Sequence, residues 1–461
     1  MRPIVTPKQM RVIDHEAATA GVPVDELVAR AGAAVARTAR HMMGGVYGRT
    51  VVVVAGPGNN GADGRVAARL LADQGARVTM LDAGRLPLRL PRGDLLIDAA
   101  FGTGFRGQWD PPDTRGMPVL AVDIPSGVDG LTGVASTAAW AAARTVTFVA
   151  LKPGLLMGAG RELSGEVEVA DIGIKFGLGA VAVNEVEAAD VERWIPRRPR
   201  SAHKWQSALY VVAGSGPMMG AARLCTGGAM RMGAGIVHLA TPGVVSDRST
   251  PNEVVRRPLP ALGWSKDVLT GAERFRALVL GPGLGRDDGI ATEARKVIAG
   301  WDRPMVIDGD GLFAVAWGGD GARDLVRSRA SATVVTPHDG EYAMVLGHPP
   351  TTDRIDSARK LATDLNCVCL LKGPTTVVAE PSGEALVITS ADERLATAGT
   401  GDVLAGMIGA MLARGAAPFE AAAAAAWVHG RAAARFPHRE GLVASDLIDL
   451  LPAVIDETRS R

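Results

Sequence analysis

Cysteine is scarce: the 461 residues carry three, Cys225, Cys367 and Cys369. The number is odd and no Cys-x-x-Cys pair occurs, which argues against a disulfide framework or a thiol metal site and fits a reducing compartment. "CVCLL" reads instead as a buried strand. Long apolar runs are missing as well, because Gly, Pro or a charge interrupts every stretch before the roughly 18 residues that a membrane-spanning helix needs. The opening "MRPIVTPKQMRVIDHEAA" has no uninterrupted hydrophobic core of the kind a signal peptide requires. A cytoplasmic chain with no membrane partner is expected. Nor is there an excess of one sign of charge. The formal net charge is +1, with acids and bases interspersed, so there is no sequence-independent pull toward nucleic acid or anionic lipid. Small-molecule chemistry is the class that remains.

Hydrophobic residues make up 47% of the chain, enough for two or three domains with cores of their own. Short β-branched runs recur at 50–55, 76–81, 95–99, 119–124 and 145–150, each followed by Ala/Leu/Arg stretches of helical period. Strands alternating with helices predict a mostly parallel sheet covered on both faces. A second series starts at 209–213 and continues through 236–240, 278–281, 305–308, 333–336, 368–371 and 376–379. The fold class is therefore α/β with two domains, 1–200 and 201–461. Between them lies "RWIPRRPRSAHKW" (193–205), rich in proline and arginine, read as a solvated linker or domain edge. "AAAAAAWVHGRAAARF" (421–436) has helix-forming composition and is read as a structural helix.

In an open parallel sheet, ligands bind at the carboxyl ends of strands, where glycine turns and helix N-termini present backbone N–H groups. "GPGNNGADG" (56–64) stands at such an end. It lacks the Gly-Lys-Ser/Thr ending of a Walker loop and matches Gly-x-Gly-x-x-Gly by letter only. "LLIDAAFGTGFRGQ" places Asp98 at another strand end, before a glycine-rich loop, and "VLAVDIPSGVDG" places Asp123 at a third, with Ser126 close behind. Asn and Asp also cap helices and shape turns, yet three neighbouring strand ends share the chemistry: Asn59, Asn60, Asp63, Asp98 and Asp123 face one side. Ligation by oxygen, without thiol or imidazole, suits a hard cation. Neutral Asn and Ser oxygens beside a single carboxylate favour a monovalent one.

These motifs, preceded by the "VDELVARAGAAVA" helix, resemble the NAD(P)H-hydrate epimerase (YjeF N-terminal) family across residues 1 to about 200. The resemblance implies a Rossmann-like domain in which Asn59, Asn60, Gly61, Ala62 and Asp63 bind substrate, as do Gly102, Thr103, Gly104, Phe105, Arg106, Gly107 and Gln108. It further implies that Asn60, Asp98 and Ser126 hold K+, and that Asp123 is the acid/base contacting the substrate. Hydrated NADH or NADPH carries a hydroxyl on the ring carbon beside nitrogen. The nitrogen lone pair expels it and water returns to either face, so an acid that protonates the departing hydroxyl and deprotonates the returning water accelerates both directions. Ala62 stands where the family usually has glycine, which is tolerable at negative φ.

In the second half, "LATAGTGDVLAGMIGAML" (395–412) sets Gly399, Thr400 and Gly401 before Asp402 and an apolar helix, so free N–H groups and the helix dipole converge on an anion hole. A carboxylate at its edge is either an N-cap or a base beside a phosphoryl-transfer centre. "GTGD" resembles the signature of the ribokinase-like superfamily. Together with "VVAGSGPMMGAARLCTGGAMRMGAGIVHLATP", "LVLGPGLG", "VIDGDGL", "TPHDGEYAMVLG" and "LLKGPTTVV", it resembles the ADP- or ATP-dependent NAD(P)H-hydrate dehydratase from about residue 203 to the C-terminus. The resemblance implies that Asp402 activates the hydroxyl and that Gly399, Thr400 and Gly401 stabilise the transferring group. Lys372, Gly373, Pro374, Thr375 and Thr376 then lie along the nucleotide phosphates, with Mg2+ accompanying them. Gly285, His338, Asp339 and Glu341 match substrate-side positions, with Asp339 standing where the family usually has proline and Trp205 where it has glycine. Bacterial dehydratases mostly resemble users of ADP, and the Ala/Arg-rich composition favours ADP, with ATP open.

Both resemblances converge on hydrated NADH and NADPH (NADHX and NADPHX) as substrates, and relatives of both halves assemble as homo-oligomers, which is expected here. Two alternatives stand beside this reading. One is a ribokinase-like kinase of a small hydroxymethyl compound; the other treats the first domain as a scaffold that has lost catalysis.

Overall fold

The computed structural model describes residues 1–175, 177, 182–244 and 250–459. The chain divides into two compact units, Arg2–Val183 and Asn184–Arg461, the latter including Met1.

The first unit contains β1 (Arg2–Pro3), α1 (Pro7–Thr19), α2 (Val24–Met43), β2 (Thr50–Ala55), α3 (Asn59–Asp73), β3 (Arg77–Asp82), β4 (Leu95–Ala99), β5 (Val119–Val122), β6 (Arg144–Phe148), α4 (Gly158–Leu163) and β7 (Glu166–Ala170). Its sheet has the order β3-β2-β4-β5-β6-β7, parallel throughout. The central strands β2, β4 and β5 are near-continuous apolar runs because both of their faces are covered. Val51, Val53, Leu95 and Ile97 pack with buried alanines of α2 and α3, while Val52, Val54 and Leu96 pack with Trp109 and Trp140. The chain runs from β2 outward to β3 and then returns to place β4 on the other side of β2. That reversal makes the carboxyl ends of β2 and β4 the switch point at which such sheets bind ligands.

The next elements are β8 (Val183–Glu185), α5 (Ala188–Trp194), β9 (Ala208–Val212), α6 (Met219–Arg231), β10 (Ile236–Pro242), β11 (Val254–Leu259), α7 (Ser265–Leu269), β12 (Ala277–Leu280), α8 (Asp288–Gly300), β13 (Met305–Ile307), α9 (Asp310–Trp317) and α10 (Gly319–Arg327). They are followed by β14 (Thr333–Val335), α11 (Asp339–Leu346), α12 (Arg354–Leu365), β15 (Val368–Leu371), β16 (Thr376–Ala379), β17 (Ala385–Ile388), α13 (Thr400–Ala413), α14 (Pro418–Ala434) and α15 (Ala444–Arg459). The second sheet runs β8-β17-β16-β15-β14-β13-β12-β9-β10-β11. Strands β9 to β15 pair in parallel, and β16 and β17 add an antiparallel edge.

The sequence suggests a domain edge near residue 200, whereas the second compact unit already begins at Asn184. The physical reason is packing. The Val186 N–H donates to the Val387 carbonyl at 3.1 Å, and Val186, Val191 and Ile195 are buried in the second core. Beneath that sheet, α6 and α13 meet across glycine. A Cβ on Gly406 would lie 1.9 Å from the Cys225 carbonyl oxygen, and one on Gly228 would lie 2.4 Å from that of Val403. The alanine-rich stretch is helix α14, with Ala421 to Ala426 all buried. The three cysteines are free and buried.

Candidate active sites

The cleft of the first unit lies at the carboxyl ends of β2, β4 and β5 and encloses about 530 Å3. Asn59, Asn60 and Asp63 line it from α3, Gly102 to Phe105 from the loop after β4, and Asp123 from the end of β5. The asparagines are not in the turn itself. The turn is Gly56–Gly58, and the Ala62 N–H already bonds the Gly58 carbonyl at 3.1 Å, so Asn59 and Asn60 form the first helical turn of α3. Gly61 supports the cleft from behind: a Cβ there would meet the Gly56 oxygen at 1.9 Å. Ala62 sits in the helix, where alanine carries no backbone strain. Arg106 turns to the carbonyl of Phe105 at 2.7 Å and to Asp129 at 3.4 Å. Together with Gly107 and Gln108 it is exposed, outside the cleft wall.

Asp123 takes φ 67°, a left-handed backbone that a non-glycine residue adopts at a cost of about 1–3 kcal/mol. Its carboxylate Oδ1 accepts from Lys152 Nζ at 2.7 Å and from Thr147 Oγ1 at 3.0 Å. Lys152, 1% exposed, also donates to the Phe148 carbonyl at 2.9 Å. Asp14 of α1 completes the cluster, and burial raises its pKa. Asp63 is shifted furthest, pushed up to about 8 by burial and then by Asp123 and Asp14. Sequence reading missed Lys152 and Asp14. Neither lies in a motif, and the 29 residues from Asp123 to Lys152 are bridged only by the fold.

Asp98, Ser126 and Asn60 converge on the segment Ala100–Gly102. Asp98 is fully buried and accepts from Ser126 Oγ at 2.6 Å and from the Ser126 N–H at 2.8 Å. Ser126 Oγ accepts from the Phe101 N–H at 2.9 Å. The Asn60 amide is buried with Nδ2 unpartnered, and its Oδ1 lies 3.5 Å from where a Cβ on Gly102 would sit. Burial raises the Asp98 pKa, which its hydrogen bonds from Ser126 and Ala100 oppose. One buried carboxylate beside the neutral oxygens of Ser126 and Asn60 is a donor set that fits a monovalent cation. Among the described residues, no group of three His, Cys, Asp or Glu is placed to hold a metal ion.

In the second unit Gly399, at φ 91°, caps α13 and leaves the N–H groups of its first turn without helical partners. Asp402 is half-buried; burial and then Asp308 push its pKa up to about 7, with Lys372 opposing. Lys372 Nζ binds Asp308 Oδ1 at 2.9 Å and faces Glu341 Oε2 at 3.5 Å. Burial opposes its charge, yet Asp308 and Glu341 hold its pKa above the ordinary lysine value. A Cβ on Gly401 would lie 3.4 Å from the same Nζ, so the ammonium stands at the mouth of the helix. Thr336 Oγ1 donates to Asp308 at 2.6 Å.

His338 caps α11: its Nδ1 accepts from the N–H groups of Gly340 at 3.0 Å and Glu341 at 3.2 Å. The ring proton is therefore on Nε2. Glu341 returns the bond by accepting from the His338 N–H at 2.9 Å. Asp339 pairs with Arg354 at 2.9 Å, which also donates to the Lys372 carbonyl at 2.8 Å and so ties the His338–Glu341 turn to the Lys372 loop. Gly373 makes room for this arginine, since a Cβ there would be 2.5 Å from Nη2. Pro374 is exposed, whereas Thr375 and Thr376 are buried at the start of β16. Gly285 donates its N–H to Asp310 at 2.8 Å. Asp308 and Arg354 were missed in the sequence. "VIDGDGL" did carry a signal for Asp308, an aspartate at a strand end like Asp98 and Asp123, but nothing in the sequence marks Arg354.

Two family models match the chain: NAD(P)H-hydrate dehydratase over residues 209–454 and YjeF-related protein N-terminus over 24–89 and 82–154. The bifunctional NAD(P)H-hydrate repair enzyme of Salinibacter ruber is 34% identical, with 99% of this chain and 96% of the relative aligned. The enzyme of that name from Escherichia coli K12 is 32% identical over 95% of this chain and 90% of its own length. Among solved structures, the ADP/ATP-dependent NAD(P)H-hydrate dehydratase of Bacillus subtilis, co-crystallised with ATP and Mg2+, is 28% identical with a TM-score of 0.52, covering 60% of this chain and all but 1% of that one. A ribokinase-like superfamily protein from Enterococcus faecalis shares the fold at 21% identity and TM-score 0.53, covering 60% of this chain and 96% of that one. With both family models matched in order and full-length relatives above 30% identity, the chain belongs to the family of bifunctional NAD(P)H-hydrate repair enzymes.

Proposed function

We propose that the first unit interconverts the R and S epimers of NADHX and NADPHX and that the second dehydrates the S epimer to NADH or NADPH at the expense of ADP. The observation that carries this reading is the pair of carboxylates, each at the mouth of its own site in one chain: Asp123 beside a buried lysine and Asp402 beside a helix N-terminus. The kinase and scaffold alternatives are not favoured, because the relatives align through the first unit as well as the second.

In the first unit, Asn59, Asn60 and the Gly102–Phe105 loop hold the substrate while Asp123 exchanges protons with the departing hydroxyl and the returning water. Asn60, Asp98 and Ser126 would hold K+, which supplies fixed positive charge beside the substrate. In the second unit, Asp402 takes the proton of the substrate hydroxyl as it attacks the terminal phosphorus of the nucleotide. Phosphate is a far better leaving group than hydroxide, and its elimination restores the dihydronicotinamide ring. Lys372 and the N–H groups of Gly399–Gly401 stabilise charge on the transferring group. Mg2+ would accompany the nucleotide and neutralise charge on its phosphates. Turns at Gly285 and His338–Glu341 meet the hydrate.

The test is recovery of the reduced-nicotinamide absorbance from a mixture of NADHX epimers with K+ and Mg2+, comparing ADP, ATP and no nucleotide. Full recovery with ADP, faster than spontaneous epimerisation permits, is the expected result. Recovery of only one epimer would remove the epimerase half of the proposal, and recovery with ATP alone would reverse the nucleotide.

A further inference from the structure

Asp63 has surroundings that a substrate-binding role does not explain. It lies four residues after Asn59 on α3 and so shares its helix face. Both line the cleft with Asp123, Asp14 and Lys152. Only 7% of Asp63 is exposed, and among the described residues no donor or cation reaches its carboxyl group. The one ammonium in the cleft is already bound to Asp123 Oδ1 at 2.7 Å. The remaining charged groups nearby are Asp14 from α1 and Asp123 from the end of β5. Arg65, on the same helix, is turned away to the Gly56 carbonyl at 2.8 Å, and Arg30 of α2 to the Ile172 carbonyl at 2.9 Å. Two carboxyl groups thus share a cleft with different partners. Asp123 is bound by the buried ammonium of Lys152, while Asp63, desolvated and beside other carboxylates with no cation of its own, keeps its proton to about pH 8. Two carboxyl groups set in such unlike surroundings are the arrangement that divides the roles of acid and base.

We propose that Asp63 is a second acid–base group of the epimerase cleft, giving its proton to the departing hydroxyl while Asp123 takes a proton from the water that replaces it. This rests on the epimerase reading above. The carbon–oxygen bond of the hydrate breaks with its electron pair on oxygen, which takes the Asp63 proton and leaves as water. The ring nitrogen lone pair forms the carbon–nitrogen double bond of the cationic intermediate. Water then adds to that carbon, its proton passes to Asp123 and the π electrons return to nitrogen. A cycle leaves Asp63 ionised and Asp123 protonated, the state from which the opposite epimerisation starts, and proton exchange with solvent resets it. Removing hydroxide from one face and adding water to the other needs a proton donor and a proton acceptor within a single passage, which two carboxyl groups supply together.

The experiment uses the full chain with ADP, Mg2+ and K+, following NADH from the pure R epimer, which requires epimerisation, and from the pure S epimer, which does not. Asp63→Asn keeps an N–H donor for the substrate but has no proton to transfer. The expected result is a fall in kcat from the R epimer of about 100-fold or more, the usual size of a general acid–base contribution, with KM changed little. The wild-type R-epimer rate should fall as pH rises through about 8, and that alkaline limb should vanish in D63N. A D63N kcat within about threefold of wild type would overturn the proposal and leave Asp63 as a binding group. A wild-type R-epimer rate flat to pH 9.5 would overturn it without any variant. If wild type converts the S epimer but the R epimer only at its spontaneous rate, the epimerase reading itself fails, which is a different outcome from an active wild type with an active D63N.

Discussion

Lys152 and Asp123 form an ion pair at 2.7 Å whose lysine is almost fully buried, and the pair can be broken from one side. Replacing Lys152 with Met leaves a desolvated carboxylate with only Thr147 as a side-chain partner, which costs about 3 kcal/mol. Urea unfolding of the first unit should shift to a lower midpoint by a corresponding amount, and epimerisation should fall with it. Asp402 permits a prediction from its own titration. If it takes the substrate proton as proposed, it must be ionised, and with a pKa raised to about 7 the dehydration of the S epimer should climb between pH 6 and 8 and level off above. Asp402→Asn should lower that rate by a factor on the order of 100 to 10,000 and abolish the climb; a variant that keeps both would remove Asp402 as the base. Stability carries a related signature at Asp63. Its folded-state pKa is raised from 3.8 to about 8, so the native state holds a proton that the unfolded chain releases. That contribution is fully present below about pH 4 and is lost as pH rises toward 8. Asp63→Asn should therefore raise the melting temperature more at pH 8 than at pH 4.

At the scale of elements, the close seam between α6 and α13 makes a sharper demand than any single contact. Gly406→Ala would drive a methyl group into the Cys225 carbonyl, and overpacking of this kind costs about 1–3 kcal/mol. Because α13 also presents Gly399 to Asp402, the same change should slow dehydration while leaving epimerisation intact, measured on the separate epimers. Much of this architecture was legible in the sequence. Runs such as "TVVVVA" are strands because a parallel sheet buries both faces, and a glycine-rich turn running into a helical pattern marked the turns of both candidate sites. The limits of legibility are equally physical. The helical bond from Ala62 to Gly58 draws Asn59 and Asn60 into α3, a boundary that residue type does not encode. Lys152, Asp14 and Arg354 reach their sites from distant or motif-free segments, and only the packed fold brings a lysine to Asp123 or an arginine to Gly373.

For the whole molecule, the two chemistries should separate by mutation. Asp123→Ala should leave rapid conversion of the S epimer and hold the R epimer to its spontaneous rate, whereas Asp402→Asn should leave the epimers interconverting while NADH forms only at the much reduced rate given above. Equal loss of both activities in either variant would contradict the assignment of one activity to each unit. The helices beneath the second site add a consequence for how the family can change. With Ala421 to Ala426 and the seam glycines already at the smallest available side chains, natural variation at these positions has almost no way to trim and can only enlarge. Drift there runs into a wall on one side, so the spacing of the helix that carries Asp402 has little latitude for adjustment.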